Sequence, residues 1–152
     1  YAILKSICQA LRNISLKIPL IFPVHPRTWK NLEQNGLMRL LDSAYNLHIT
    51  EPLTYVRFMS LLFNCRFAIT DSGGIQEETT YLGIPCLTLR PNTERPITIS
   101  QGTNKLCTSE NLESKVKDVL LGEGGKSHIP EYWDGQTAHR VVDSIKTSYM
   151  LT

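Results

Sequence analysis

Residues 67–78 read F-A-I-T-D-S-G-G-I-Q-E-E, and this stretch decides the fold. Phe67–Thr70 is a short apolar run, typical of a buried parallel strand, and a helix is predicted from Ile75 to Leu82. The Ser72-Gly73-Gly74 turn between them has almost no side chain, so a ligand can approach the main chain closely. A strand that runs through such a turn into a helix is typical of a parallel α/β domain.

Helices and short apolar strands alternate on both sides of this stretch. The spacing of apolar residues predicts further helices over residues 1–15, 27–34, 55–64 and 136–148, and further strands over 18–24, 47–50, 86–89 and 104–107. Another helix is predicted after Ser109, with Leu112, Val116, Val119 and Leu120 on one face. A glycine-rich loop is predicted over 122–125. This alternation predicts one doubly wound α/β domain over residues 1–152, with a parallel sheet covered by helices on both faces.

Composition excludes several classes of protein. The formal charge of +2 comes from basic and acidic residues mixed along the chain, which argues against nucleic acid as a partner. The longest apolar stretch, Ile18 to Val24, is too short to cross a bilayer. The four histidines and four cysteines show no metal-ligand spacing, so neither a metal nor a cofactor is expected. We expect a reduced, cytoplasmic protein without a secretory signal, although one disulfide stays open.

The first residue is Tyr1 rather than a methionine, and a helical pattern begins at once. From this we expect a piece of a longer protein.

The Ser72-Gly73-Gly74 turn is a candidate anion site. A helix that starts there leaves several main-chain N–H groups unpaired, with the positive end of the helix dipole behind them. Such a start suits a diphosphate. The alternative is a plain strand-to-helix turn with Ser72 as the helix cap, which is the commoner reading of an isolated S-G-G.

Two charged residues near this turn are further candidates. Glu78 lies about one turn inside the helix, where a carboxylate can accept both hydroxyls of a ribose. Alternatively, Glu77 and Glu78 only favour the helix N-terminus electrostatically. Arg95 follows Glu94 in a loop with two prolines and is matched to a phosphate, or else it makes a structural contact with Glu94.

Other chemistry is less well supported. Tyr55 or Phe58 could stack on a base, although aromatic residues on an amphipathic helix usually belong to the core. Ser72, His25 and Asp71 could form a hydrolase triad, but the serine lacks the G-x-S-x-G turn of those enzymes.

Seven segments occur in one order that resembles a known family. The chain is similar to the C-terminal domain of UDP-N-acetylglucosamine 2-epimerases over nearly all 152 residues. The segment T-D-S-G-G-x-Q-E-E followed by T-E-R-P is the most specific part of the resemblance. The segments are Phe22–His25, Glu51–Leu53, Thr70–Glu78, Leu82–Pro85, Thr93–Pro96, Gly102–Asn104 and Trp133–Gly135.

The resemblance implies a fold and a reaction. Members of this family have two Rossmann-like domains in the glycosyltransferase-B arrangement, with the active site between them. They interconvert UDP-N-acetylglucosamine and UDP-N-acetylmannosamine by eliminating UDP to a 2-acetamidoglucal and adding it back with C2 inverted. A hydrolysing branch releases N-acetylmannosamine and UDP instead. Within this arrangement, the chain is expected to supply the UDP-binding half.

The resemblance also assigns roles to residues. Ser72, Gly73 and Gly74 would hold the phosphates and Arg95 would stabilise the leaving diphosphate. Glu78 would bind the ribose hydroxyls, and Phe58 with the main chain near Leu53 would bind uracil. His25 matches a histidine that contacts a second, activating UDP-N-acetylglucosamine in some bacterial members, with a structural histidine at a loop edge as the alternative.

Two departures from the family pattern bear on these expectations. After T-E-R-P many bacterial members have an acidic residue, whereas this chain continues with Ile97. His25 is followed by Pro26-Arg27 in place of the x-N of those members, which puts its second-site role in doubt. The catalytic carboxylates of the family belong to its N-terminal domain, so no catalytic residue is expected in this chain, and it should be inactive alone.

The expected partners are therefore a UDP-sugar, the N-terminal domain of the same protein and a second copy in a homodimer. Two other functions stay open. One is a glycosyltransferase with a UDP-sugar donor, and the other is a non-catalytic domain that binds a nucleotide sugar.

Overall fold

The computed structural model describes residues 1–123 and 128–150, so the predicted loop at 122–125 lies partly outside the described residues. The strands are β1 Leu20–Pro23, β2 Leu47–Thr50, β3 Ala68–Thr70, β4 Cys86–Thr88 and β5 Asn104–Leu106. The helices are α1 Ala2–Ser15, α2 Pro26–Gln34, α3 Met38–Asp42, α4 Tyr55–Asn64, α5 Gly73–Leu82, α6 Pro96–Ser100, α7 Leu112–Leu120 and α8 Thr137–Met150. Helices and strands alternate as predicted, except that α3 follows α2 and α8 follows α7.

All strand pairs are parallel, which confirms the predicted fold class. β1 pairs with β2, with Leu20 opposite Leu47, and β4 lies between β3 and β5. In the part of the chain that the structure describes, the five strands form a two-stranded and a three-stranded sheet rather than the single sheet that was expected. A shared core, rather than a ladder of main-chain hydrogen bonds, joins the two sheets.

Helix α1 provides that shared core. Its Ala10 and Ile14 pack with Leu87 of β4 and Val116 of α7 in one apolar cluster. Its Cys8 belongs to a second cluster, which includes residues of α2, α3 and β2. The two clusters meet along one amphipathic helix, and the predicted apolar face of residues 1–15 accounts for this.

The three-stranded sheet has helices on both faces. Leu87 of β4 points into the apolar cluster with α1 and α7, whereas Cys86 and Thr88 alternate with it and face the other side, because side chains alternate along a strand. Helices α5 and α6 contact this second side. The layer beneath them is largely polar and places the start of α5 beside the loop before α6.

Two short helices and one exposed surface differ from the sequence-based expectation. Helices α3 and α6 have five residues each, which is too short to give a helical periodicity in the sequence. The apolar stripe of α8 was predicted correctly as a helix face, but Val141, Val142 and Ile145 are about half exposed. Within residues 1–123 and 128–150, every helix falls short of the length and hydropathy that a membrane span requires.

Candidate functional site

The turn at residues 72–74 is the start of helix α5. Ser72 is the N-cap residue with extended backbone (φ −83°, ψ 130°), but its side chain makes no capping hydrogen bond. Its main-chain N–H donates instead to Thr70 Oγ1 at 3.0 Å. The plain-cap alternative is therefore only half right: Ser72 has the position of a cap, and its exposed hydroxyl is left for another partner. The first-turn N–H groups of α5 have no acceptor within the helix and are available to the same partner.

Arg95 lies directly against this turn. A Cβ added to Gly73 would lie 3.3 Å from Arg95 Cζ and 3.4 Å from its Nε, so the guanidinium packs over the main chain of Gly73. A side chain at position 73 would displace the guanidinium by a few tenths of an ångström, so glycine allows its closest approach to the helix start. The structure thus brings together the turn and the arginine that the sequence separates by more than twenty residues.

The guanidinium has an acidic neighbour, and it is not the one that the sequence suggested. Arg95 Nε lies 3.1 Å from Glu77 Oε1, an ion-pair distance, but its N–H does not point at that oxygen as a hydrogen bond would. Glu94 instead pairs with Arg90 through both carboxylate oxygens, each at 3.1 Å. The alternative, a direct Arg95–Glu94 pair, is not formed, because Arg90, four residues before Glu94, takes both of its oxygens; Arg95 influences Glu94 only through its charge.

Sheet topology explains why the turn and Arg95 meet. β3 and β4 are paired in parallel, with Thr70 opposite Thr88, so the segments after both strands leave from the same edge of the sheet. The first of these segments is the turn at 72–74, and the second leads to Arg95. In parallel sheets this carboxyl edge is where ligands bind.

Glu78 has an oxygen without a partner. Its Oε2 is buried and accepts no hydrogen bond from any described residue. The same carboxylate receives a hydrogen bond from Tyr55 at the start of α4, and this bond, with the negative charge of Glu78, raises the pKa of the Tyr55 hydroxyl. A buried acceptor without a donor is costly, about 1 to 3 kcal/mol, so the site would gain from a ligand hydroxyl there.

Phe58 and Leu53 are close in sequence to Tyr55, whose hydroxyl interacts with this carboxylate. Phe58 is one turn after Tyr55 on α4, which puts both residues on the same face of the helix. Phe58 and Leu53 are both half-buried, so neither is sealed into the core. Phe58 therefore offers an aromatic side chain on the same helix face as Tyr55, which interacts with Glu78.

His25 has a structural role. It is the N-cap of α2, its Nδ1 accepts a hydrogen bond from the Arg27 main-chain N–H at 3.3 Å, and its side chain is exposed. This capping contact is what the loop-edge alternative describes, and a contact with a second ligand stays a prediction.

A buried polar cluster under the site was not recognised in the sequence. Gln76, Thr88, Thr98 and Asn104 are each no more than 2% exposed, and hydrogen bonds join them to Thr93. Gln76 and Asn104 are letters of the segments that carry the family resemblance, which was the available signal. Their partners lie too far apart in the sequence to be paired by inspection.

The cysteines and acidic residues do not form a metal centre in the described part of the chain. No group of three or more His, Cys, Asp or Glu residues there could hold a metal ion. All four cysteines are free, and Cys8, Cys86 and Cys107 are buried.

Comparison with known proteins gives one consistent result. A family model described as UDP-N-acetylglucosamine 2-epimerase matches residues 2–146. An enzyme of that name from Methanococcus maripaludis is 43% identical over 95% of this chain and 40% of its own length, and one from Salmonella typhimurium is 34% identical over 93% and 39%. The Methanocaldococcus jannaschii enzyme, solved in complex with UDP-GlcNAc and UDP, has a TM-score of 0.79 and 35% identity over 95% of this chain and 40% of its own chain. The chain therefore spans about 40% of the length of its curated relatives.

Proposed function

This chain belongs to the UDP-N-acetylglucosamine 2-epimerase family, and we propose that residues 1–152 are the C-terminal domain that binds UDP in such an enzyme. The observation that carries this proposal is the packing of the Arg95 guanidinium over Gly73 at the start of α5. Main-chain N–H groups and a guanidinium meet there, and both are donors that suit a diphosphate.

The nucleoside end of UDP has matching groups. The partnerless Oε2 of Glu78 would accept a ribose hydroxyl, and the carboxylate would keep Tyr55 as its other neighbour. Phe58 and the main chain near Leu53 would hold uracil at the end of the site away from the turn. The relative from Methanocaldococcus jannaschii, solved with UDP, supports this choice of ligand.

In the proposed reaction the chain acts on the leaving group. As the bond between sugar C1 and the diphosphate oxygen breaks, negative charge grows on the diphosphate. Fixed N–H donors and Arg95 would stabilise that charge more in the transition state than in the ground state, and this favours elimination of UDP. Removal of the C2 proton and its return on the other face are assigned to groups outside residues 1–152, in an N-terminal domain. A homodimer stays a prediction, to be checked by light scattering.

The experiment begins with binding. We expect UDP to bind the complete protein in which this chain occurs, as measured by calorimetry. Since a hydrogen bond to a charged group is worth about 1.5 to 3 kcal/mol, Arg95→Ala should weaken binding roughly ten- to hundredfold. Arg90→Ala is the matched control, because it removes the same charge from a partly exposed ion pair nearby. Equal affinities for the two variants would exclude Arg95 as a diphosphate ligand.

The reaction is tested in the same protein. Incubation with UDP-N-acetylglucosamine in deuterated water should give UDP-N-acetylmannosamine with deuterium at C2, as followed by NMR. Free N-acetylmannosamine would instead indicate the hydrolysing branch. Transfer of the sugar to an acceptor without isomerisation would indicate a glycosyltransferase, and UDP binding without any turnover would indicate a binding domain.

A further inference from the structure

Gln76 is a fully buried amide that bonds to both halves of the anion site. It is 0% exposed, and its Nε2 donates to the main-chain oxygen of Ser72 at 3.3 Å. Its Oε1 accepts from Thr93 Oγ1 at 2.6 Å. The Thr93 hydroxyl oxygen in turn accepts the main-chain N–H of Arg95 at 3.0 Å. One side chain thus connects the turn at the start of α5 with the residue that carries the guanidinium.

Asn104, a residue of β5, hydrogen-bonds to the same amide. Its Nδ2 donates to Gln76 Oε1 at 3.0 Å and to Thr98 Oγ1 at 3.1 Å, and its Oδ1 accepts from Thr88 Oγ1 at 2.6 Å. The Thr98 hydroxyl donates to the main-chain oxygen of Arg95 at 2.7 Å. Arg95 is therefore held at its N–H by one threonine and at its carbonyl by another, and each threonine is bonded to the Gln76–Asn104 pair.

Only one assignment of donors and acceptors is consistent with these hydrogen bonds. Both protons of Asn104 Nδ2 are used, so its Oδ1 must face Thr88. Gln76 Oε1 receives two donors, which leaves its Nε2 for the carbonyl of Ser72. Each threonine hydroxyl has a single proton, and Thr93 and Thr98 each donate that proton and accept one other bond. Rotating either amide would place donor against donor or acceptor against acceptor, so the network specifies a single arrangement.

We propose that Gln76 is a positioning residue that holds the Ser72 turn and the Arg95 loop in register, so that main-chain N–H groups and guanidinium meet on one diphosphate. This inference rests on the proposed function. Gln76 is buried and does not itself touch a ligand. Its contribution is that two donor groups from different segments need no rearrangement when the anion arrives.

The test separates positioning from stability with variants of the complete protein. Thr93→Val keeps the shape of the side chain and removes the hydroxyl between Gln76 and Arg95, Thr93→Ser restores that hydroxyl, and Gln76→Met removes the amide at similar size. The matched control is Thr79→Val, which removes a buried hydroxyl from the same helix whose bonds run to the carbonyls of Ile75 and Gln76 and not to the Arg95 loop.

The readout is the ratio of UDP affinity to uridine affinity, because uridine lacks the diphosphate. Loss of one neutral hydrogen bond corresponds to about a two- to tenfold change. Thr93→Val and Gln76→Met should lower the ratio by at least that factor, while uridine affinity stays unchanged. Thr93→Ser and Thr79→Val should keep the wild-type ratio, even where thermal unfolding shows that Thr79→Val is less stable. An unchanged ratio in Thr93→Val would overturn the proposal, and this variant decides the matter if Gln76→Met does not fold.

A second readout needs no ligand. Amide hydrogen exchange of a peptide covering residues 91–98 should become faster in Thr93→Val and Gln76→Met but not in Thr79→Val. Thr93→Val removes the acceptor of the Arg95 N–H, and Gln76→Met removes the amide that holds this acceptor in place. If wild type binds UDP no better than uridine, the proposed function fails, and exchange alone then decides whether Gln76 couples the two segments. Unchanged exchange in both variants would refute the coupling.

Discussion

Gly102, between α6 and β5, has no room for a side chain. An added Cβ would lie 2.4 Å from Thr80 Oγ1, 2.5 Å from Thr80 Cγ2 and 2.6 Å from the main-chain oxygen of Thr98. All three distances are shorter than any ordinary contact. Gly102→Ala therefore forces α5 and the segment after Arg95 apart, at the position where Thr98 supports the Arg95 carbonyl.

The expected cost follows from the partners of this contact. Inserting a carbon into a packed core costs about 1 to 3 kcal/mol. Because one of the three contacts is a main-chain oxygen, which cannot rotate away, we expect Gly102→Ala to lie in the upper half of that range, at about 2 to 3 kcal/mol. For a domain of this size the cost corresponds to a fall in Tm of roughly 4 to 12 °C.

The assay is a double-mutant cycle with Thr80→Ala, in which the free energy of unfolding is measured by urea denaturation and monitored by tryptophan fluorescence. Thr80→Ala removes two of the three close atoms, and because Thr80 Oγ1 has no hydrogen-bond partner among the described residues, it loses only packing, about 1 kcal/mol. The double variant should be no less stable than Gly102→Ala alone. Its cost would then be smaller than the sum of the two single costs by about 1 kcal/mol or more, which is a favourable coupling.

The control for this cycle is Gly36→Ala. Gly36 has φ +66° and nothing within 4 Å of an added Cβ, so its substitution costs backbone strain of about 1 to 2 kcal/mol without a clash. Its cost should add to that of Thr80→Ala without coupling. Additive costs for Gly102→Ala and Thr80→Ala would refute the clash and leave the local backbone as the cause.

Three further outcomes are expected. Glu77→Gln should tighten UDP binding by up to about fivefold in calorimetry, because Arg95 would no longer have to give up a partly exposed ion pair, worth about 0.2 to 1 kcal/mol, in order to bind the diphosphate. Weaker binding would contradict this. Tyr55 should ionise at higher pH than an ordinary tyrosine in a difference absorbance titration against Tyr55→Phe, and Glu78→Gln should bring its pKa back down. Burial raises the pKa of Cys107 to about 11, so Cys107 should resist alkylation at neutral pH until urea unfolds the protein. The raised pKa stabilises the folded state at pH values below the ordinary pKa of 9.0, and this contribution to stability is lost as the pH rises through about 11.

Segments with a clear apolar pattern were predictable because the burial of their residues repeats with the period of the helix or strand. The predicted bounds of β2 and α4 match the structure at both ends. Apolar runs such as 18–24 were predicted too long, because hydrophobic residues continue past the last paired residue of β1, Pro23. The short helices α3 and α6 were missed, since five residues make little more than one turn.

The meeting of Arg95 with the turn at 72–74 was predictable in outline. Parallel pairing of successive strands puts the following loops at one edge, whatever the side chains are. The partner of Arg95 was not predictable, because Glu77 and Glu94 are equally acidic and only geometry assigns Glu94 to Arg90. The bonding of Gln76 was hidden for a similar reason, since its bonds to Thr93 and Asn104 span 17 and 28 residues of sequence.

The two faces of β4 show why the site is built on polar residues. Leu87 enters an apolar cluster, and apolar packing tolerates small shifts because it has no direction. Thr88, on the opposite face, belongs to a buried network in which every amide and hydroxyl of the Gln76–Asn104 group has a partner. Leaving one such group unpaired would cost about 1 to 3 kcal/mol, so α5 cannot slide against the Arg95 loop without breaking several bonds together. The apolar face therefore stabilises the domain, while the polar face fixes the main chain of Arg95 against the start of α5, and the proposed diphosphate site depends on that distance.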